Sequence, residues 1–577
     1  NMPVLEEYGA QPPNELLRQV IDDKGYYDVE KVGLFKNIER TNVIAACAPP
    51  GGGRSDVTER LTRHFHTIWL TELSAKSMKH IFASILGGFL KSEIPELAGN
   101  VGKLVDGSIE LYLGIQQNLL PTPSKSHYTY NLRDLSQVFQ GILMVTSESV
   151  NTEEQIINLW LHELARVFRD RLINIEDRTW VNKLCKKLLL QYFEVEVEIS
   201  AFDNLLFGDY LDPDRIKYGE VNNKAAFKAA LNEQLEEYNI SYSPKMNLVF
   251  FDDAISHISR LARILRQPRG NALLVGVGGS GRKSLTRLAS FMAGYRCSSI
   301  EITKTYDRTV WFDDLKVVLL EAGCQNKPVV FLFSDTQIVM EAFLEDINNL
   351  LNAGDIPNIY LPEEIEKIIN ATRPLAVKAG KSERRDDVYA YYVSLVRQNL
   401  RVVLAFSPIG DSFRNRCRMF PSLVNCCTID WFDPWPEDAL FSVALQYLGG
   451  ERGKELQIEE HVQNICDVAV KIHRSVEVST AQYFKEVRRH NYTTPTSYLE
   501  LLQLFQTMLQ EQRVIATDNL ARYENGLKKL RETEVLVEGL KVELIEMQPV
   551  LKQAQIDTEE LMKKVTLDQA QADIAKA

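Results

Sequence analysis

"PRGNALLVGVGGSGRKSLTRLA", Pro268 to Ala289, runs an apolar stretch (Ala272–Val275) into a glycine-rich turn and then into a helical pattern that opens near Arg282. Glycines let the backbone curl until successive N–H groups face one point, and a helix N-terminus adds its positive end there; such a strand–turn–helix suits a phosphate. The usual wording is Gly, four residues, Gly-Lys, then Ser or Thr. Counted from Gly276 to Gly281, the lysine position holds Arg282, the hydroxyl position holds Lys283, and Ser284 comes one place late. The candidate cradle is Gly276, Gly278, Gly279, Ser280, Gly281, Arg282, Lys283, Ser284 and Leu285. Arg282 keeps a positive charge, but its planar fork is not equivalent to a compact ammonium. Lys283 has two readings: it turns toward the phosphates, or it is an exposed helix residue.

Downstream, "PVVFLFSDTQI" places Asp335 after the apolar run Val329–Phe333. An acid at the end of a second strand is where phosphate-loop NTPases hold magnesium, and the glutamate that commonly follows it polarises the attacking water. Here Thr336 follows, and a threonine hydroxyl cannot act as the base, so hydrolysis is expected to be slow or absent even with nucleotide bound. Asp335 and Ser284 are the candidate Mg2+ contacts, made through the nucleotide.

A second grammar occurs twice. "VIAACA" (Val43–Ala48), "PPGGGR" and "RHFHTIWL" correspond to "RVVLAFSP" (Arg401–Pro408), "IGDSFRNRCRMF" and "PSLVNCCTIDWF", with Arg63 aligned to Arg418. Each copy predicts a buried strand, a short helix and a second apolar strand, hence two copies of one α/β module. An arginine before the second strand can reach out to neutralise phosphate charge in a neighbouring module, or it can serve a structural ion pair. Between the copies, "SMKHIFASILGGFL" and "TEEQIINLWLHELARVFRDRL" show helical periodicity, and "PWPEDA" (Pro434–Ala439) opens a second helical region. Near the end, Leu530, Thr533, Val537, Leu540, Leu544, Met547, Leu551, Ala554, Thr558, Leu561 and Val565 alternate steps of three and four, the seam of a coiled coil that needs an antiparallel partner. Pro549 lies inside it and is expected to kink it.

The 577 residues allow roughly three to five domains. Hydrophobic residues make up 45% and charged residues 25%, and mean hydropathy is -0.18, which excludes global disorder. A net charge of -12 argues against nucleic-acid or membrane-surface binding as a general role. Eight cysteines without metal-ligand spacing fit free thiols in a reducing compartment. No apolar stretch reaches membrane-helix length. The opening "NMPVLEEYGAQPP" reads as a chain entered mid-domain.

Taken together, "YGAQPPNELLRQ", "PPGGGR", "YTYNLRDLS", "PRGNALLVGVGGSG" and "FRNRCRMFPSLVNCCTIDWF" resemble the motor ring of dynein heavy chains, of axonemal wording, over nearly the whole chain. The resemblance implies an α/β fold of tandem AAA+ phosphate-loop modules, each a parallel-sheet core with a helical lid, followed by a long coiled-coil helix. In that frame residues 1–75 end the third module's core and 76–190 form its lid. Residues 191–245 connect, 246–433 and 434–512 are the fourth core and lid, and 513–577 begin the stalk. The implied cofactors are ATP or ADP with Mg2+. The implied partners are the remaining ring modules, a returning stalk helix, the microtubule, and intermediate and light chains, in the cytoskeleton of a cilium or flagellum; nucleic acid and membrane are not among them. Arg418 would be the finger of the third module's site, Arg63 that of the second's, and Arg133 the third lid's own arginine. The corresponding fourth-lid segment, Tyr492–Met508, contains no basic residue. Two other readings stay open: another tandem AAA+ remodelling ATPase, and a scaffold whose modules only hold nucleotide.

Overall fold

Ala272–Val275 (β1), Arg296–Ser298 (β2), Val329–Ser334 (β3), Leu400–Phe406 (β4) and Thr428–Trp431 (β5) form one parallel sheet in the order β2-β3-β4-β1-β5 in the computed structural model, which describes residues 11–28, 31–47, 57–196, 205–209, 217–221 and 223–576. β1, β3 and β4 are buried at every position, as expected of parallel strands covered on both faces, whose sequences run apolar instead of alternating. Even Arg401 inside β4 is buried, its guanidinium donating to the carbonyls of Leu265 (3.1 Å) and Gln398 (2.6 Å). On one face Trp311 stacks on Phe343 (4.4 Å between centroids) against Phe331 and Phe333; on the other lie Ile258, Leu261, Leu265 and Leu288. β1 sits between β4 and the edge strand β5, so whatever follows it emerges at the sheet's carboxyl edge, where open α/β sheets bind ligands.

Ahead of the sheet, Ala75–Glu93 (α1), Val101–Asn118 (α2), Leu132–Ile142 (α3), Glu153–Leu164 (α4) and Ile175–Phe193 (α5) enclose their own core. Phe82 stacks on Phe139 (4.6 Å), and Trp160 donates to the Ser108 hydroxyl (2.8 Å). Reciprocal caps start two of these helices, Asn131 with Asp134 and Thr152 with Gln155, each satisfying backbone donors that a bare helix end leaves unpaired. A π turn, Ala165–Arg169, continues α4 and widens the coil by one residue. It turns Arg166 and Asp170 toward the sheet. There the Asp170 carbonyl accepts the Trp431 amide (3.1 Å), and Asp170 Oδ2 lies 3.0 Å from Arg260 on Asp252–Arg266 (α6). Arg260 also pairs with Asp430 (2.8 Å), while Arg263 and Tyr218 both donate to buried Glu163. Helices and sheet therefore meet through buried charge as well as apolar contact.

The first copy of the repeat behaves differently from its sequence. Val43–Cys47 and His66–Leu70 carry no strand, with Ile44 96% and Leu70 87% exposed; "PPGGGR" and Ala48 lie outside the described residues. A parallel strand gains its hydrogen bonds and its cover from neighbours, and among the described residues no strand pairs with either segment. The expected connection, 191–245, contains the helix Lys224–Ser241 and a two-residue ladder, Phe207–Gly208 with Gly219–Glu220. After β4 come Ser412–Met419, a two-turn helix, then Ser422–Asn425 and β5.

Residues from Pro436 form a separate body. Glu437–Leu448 and Val462–Val487 pack with the start of a single helix, Pro495–Lys576, through Leu440, Val443, Val470, Tyr498 and Leu502. Tyr498 donates to the Leu440 carbonyl (3.0 Å) and Gln506 to that of Tyr447 (2.8 Å). The helix thus begins at Pro495, well before residue 513, and continues as one element through Pro549. Its later apolar residues are exposed, Leu544 at 62%.

Candidate nucleotide site

The loop after β1 is stapled at its base, Gly276 N–H donating to Phe406 O (3.1 Å) and Phe432 N–H to Val275 O (2.8 Å). Gly276 must lack a side chain, because a Cβ there would lie 2.7 Å from Phe432 Cβ. Gly279 and Gly281 adopt φ of +81° and +90°, the left-handed region that L side chains avoid, and so aim the intervening amides to one side. Gly278 faces open space. Inside the curl, Ser280 is 5% exposed and its hydroxyl has no hydrogen-bond partner among the described residues. An orphaned buried hydroxyl under a ring of amides, at the N-terminus of Arg282–Met292 (α7 in chain order after α6), fits a phosphate oxygen. Leu285, the last residue of the expected cradle, packs into the core beneath the loop, so only its backbone belongs to the turn.

The two cations divide their work. Arg282 folds back, donating to Phe406 O (2.5 Å) and Val277 O (3.2 Å), and so ties the loop to the end of β4. Burial lowers its pKa, with Asp335 opposing. Lys283 is an exposed residue of the helix, and its Nζ lies 3.5 Å from Thr336 Oγ1, on the side of Asp335. Asp335 itself accepts the Ser407 N–H at Oδ2 (2.8 Å), which locks the ends of β3 and β4 together. Thr336 shares a hydrogen bond with Ser334 (2.9 Å).

These residues fit a nucleotide's phosphates but not its magnesium. Mg2+ demands oxygen donors in near-octahedral array. The position that supplies a hydroxyl in ordinary loops supplies an ammonium here, and Ser284 lies one residue, about 100°, further round the helix. Among the described residues no group of three or more His, Cys, Asp or Glu side chains is placed to hold a metal.

A cleft of about 270 Å3 adjoins Asp335 and Thr336, walled by Ser407, Ile409, Ser412 and Arg416. Arg416 was not singled out by sequence, although it lies two residues from Arg418 on the same short helix, Ser412–Met419 (α8). That separation turns them to opposite faces: Arg416 lines this cleft and pairs with Glu341 (3.0 Å), while Arg418 is exposed on the far side. Arg133 starts α3 and donates to Asn425 O (3.2 Å) and Cys426 Sγ (2.8 Å), at the far end of the segment that α8 opens. Arg63 is 59% exposed, beside Asp22 (3.4 Å) and His64 (3.1 Å). None of these three reaches the loop after β1.

The parallel sheet, the loop after β1 and the acid opposite are matched by a family model, the "P-loop containing dynein motor region D4", over residues 246–508. Residues 1–73 match a second "P-loop containing dynein motor region", and 104–201 an AAA+ lid domain. Human dynein axonemal heavy chain 6 is 46% identical over 99% of this chain. The chain belongs to the axonemal dynein heavy chains. Human dynein axonemal heavy chain 1 is likewise 46% identical over 99% of it, and the dynein-1-beta heavy chain of the flagellar inner arm I1 complex of Chlamydomonas reinhardtii 41% over 94%. The chain spans 12 to 14% of the length of these dyneins. The AAA+ motor fold, with its parallel sheet and helical surroundings, is thus common to them. No described helix is long and apolar enough to cross a membrane.

Proposed function

We propose that the chain serves in the ATP-driven, minus-end-directed microtubule motor of the ciliary or flagellar axoneme, as one stretch of a six-module ring whose main hydrolysis occurs in a module outside it. Residues 1–75 and 76–190 close the third module's core and lid, 191–245 connect, 246–433 and 434–512 are the fourth module, and 513–577 open the stalk. One observation supports the reading of the fourth site: the glycine-rich loop after β1 lies near Asp335, whose neighbour is Thr336 where a glutamate would polarise water. The site holds ADP or ATP and does not turn it over. Mg2+ accompanies nucleotide at the hydrolysing modules.

Arg418, exposed on α8, is the finger for the third module's nucleotide, and Arg63 that for the second's. An exposed ion pair such as Arg63–Asp22 is worth about 0–1 kcal/mol and yields easily to a phosphate. Arg133 is the third lid's arginine. The exposed seam of Pro495–Lys576 is covered by the returning stalk helix, and the tip beyond it meets the microtubule; intermediate and light chains join elsewhere on the heavy chain.

Single-turnover assays on a ring with its first and third sites disabled test the fourth. No phosphate should be released, with or without Asp335→Ala. Hydrolysis that persists in such a ring and disappears on Asp335→Ala would show a working fourth site.

A further inference from the structure

Lys283 is a cation in the place of a metal ligand. The first turn of α7 carries it at the loop's hydroxyl position, and its side chain reaches to within 3.5 Å of Thr336 just after β3; partial burial lowers its pKa, and the Asp335 carboxylate opposes that shift. In an ordinary phosphate loop that space, between the phosphates and the acid, belongs to Mg2+, the largest local charge in such sites. Two oxygens beside that space already take part in hydrogen bonds: Asp335 Oδ2 accepts Ser407 N–H, and Thr336 Oγ1 meets Ser334 Oγ and Lys283 Nζ. Arg282 is held away from that space, its two terminal nitrogens donating to backbone carbonyls of Phe406 and Val277. An ammonium satisfies phosphate oxygens with three donors and needs no octahedral shell.

We propose that the fourth module binds its nucleoside di- or triphosphate without Mg2+, Lys283 Nζ standing as a built-in counter-charge between the phosphates and Asp335. The inference rests on the nucleotide-holding reading above and adds a reason for it. A metal that neutralises the leaving phosphate and bridges its oxygens is part of phosphoryl transfer, and a fixed ammonium keeps the affinity while withholding that chemistry.

The test uses the full-length heavy chain and three variants. Gly278→Asp adds a carboxylate to the cradle at a position with nothing within 4 Å, so it repels phosphate and leaves the fold intact. Lys283→Thr restores the hydroxyl of an ordinary loop, and Asp335→Asn removes the acid. After desalting in EDTA, the wild type should retain one nucleotide per chain that Gly278→Asp lacks. Lys283→Thr should lose that nucleotide in EDTA and keep it in Mg2+, and nucleotide-saturated Lys283→Thr should bind one more Mn2+ per chain by EPR titration than the wild type. The wild-type Mn2+ count should be the same as that of Asp335→Asn. Release of the Gly278-dependent nucleotide from the wild type by EDTA, or loss of one Mn2+ on Asp335→Asn, overturns the metal-free site while leaving nucleotide binding standing. Equal nucleotide counts in wild type and Gly278→Asp, in Mg2+ as in EDTA, overturn both.

Discussion

Residues a few ångströms apart in the phosphate loop have opposite tolerances. Gly276 is clamped, since a methyl group would meet Phe432 Cβ at 2.7 Å and its backbone oxygen at 3.4 Å, and neither can swing away. Gly276→Ala should therefore cost about 1–3 kcal/mol, as overpacking does. Gly278→Ala meets nothing and should stay within about 0.5 kcal/mol of the wild type, as surface changes do. Paired thermal melts of the two variants check this, and equal melting temperatures would contradict the loop's geometry. The same scale shows what a motif can and cannot say. Glycine spacing announced the curl, because only glycine takes +81° and +90° without strain. The destinations of Arg282 and Lys283 were open, because both are long cations on one helical turn. Only the ends of β3 and β4, brought alongside by the fold, decide which carbonyl or hydroxyl each one meets.

Among elements, strands were legible where the sheet completes them and misleading where it does not. β4 and Val43–Cys47 read alike, yet β4 lies between β3 and β1 whereas the earlier segment has no strand beside it among the described residues. The helix Pro495–Lys576 is the reverse case. Its first turns are buried by local partners, and its later apolar residues are exposed. Thr533, Ala554 and Thr558 in that seam are small or polar, which lowers the cost of shifting register. On the coiled-coil reading, crosslinking the seam to its partner in one register should lock microtubule affinity. Nucleotide-dependent release that continues in the crosslinked motor would refute register sliding.

For the body that ends at Trp435, the deciding feature is the buried charge between the helices of 75–193 and the sheet. Asp430 is buried, which by itself would raise its pKa, but His257 (2.7 Å) and Arg260 (2.8 Å) outweigh this and hold it at about 2. A carboxylate depressed from its usual 3.8 contributes stability that is complete above about pH 4 and is lost as pH falls toward 2. Asp430→Asn should flatten that acid limb. At neutral pH it should cost about 3–5 kcal/mol, the range for breaking a buried pair, because Arg260 and His257 lose their shared partner. Urea unfolding at pH 7 and pH 3 measures both effects; an acid limb unchanged in the variant would remove Asp430 from the account.

Local pattern was enough for the strand–loop–helix at Ala272–Met292 and for the acid after β3 at Asp335, because each depends on residues a few places apart whose period or backbone freedom is written in the chain. Arg416 in the cleft, with Arg418 turned away, and the Glu163–Arg263 and Asp170–Arg260–Asp430 pairs had no such signature. They join residues distant in sequence, and charge carries no periodicity that names its partner. Which cation meets the backbone carbonyls of the loop and of β4 and which meets Thr336 was decided only when β1, β3 and β4 came side by side, since the energy of a charge depends on the few groups packed around it.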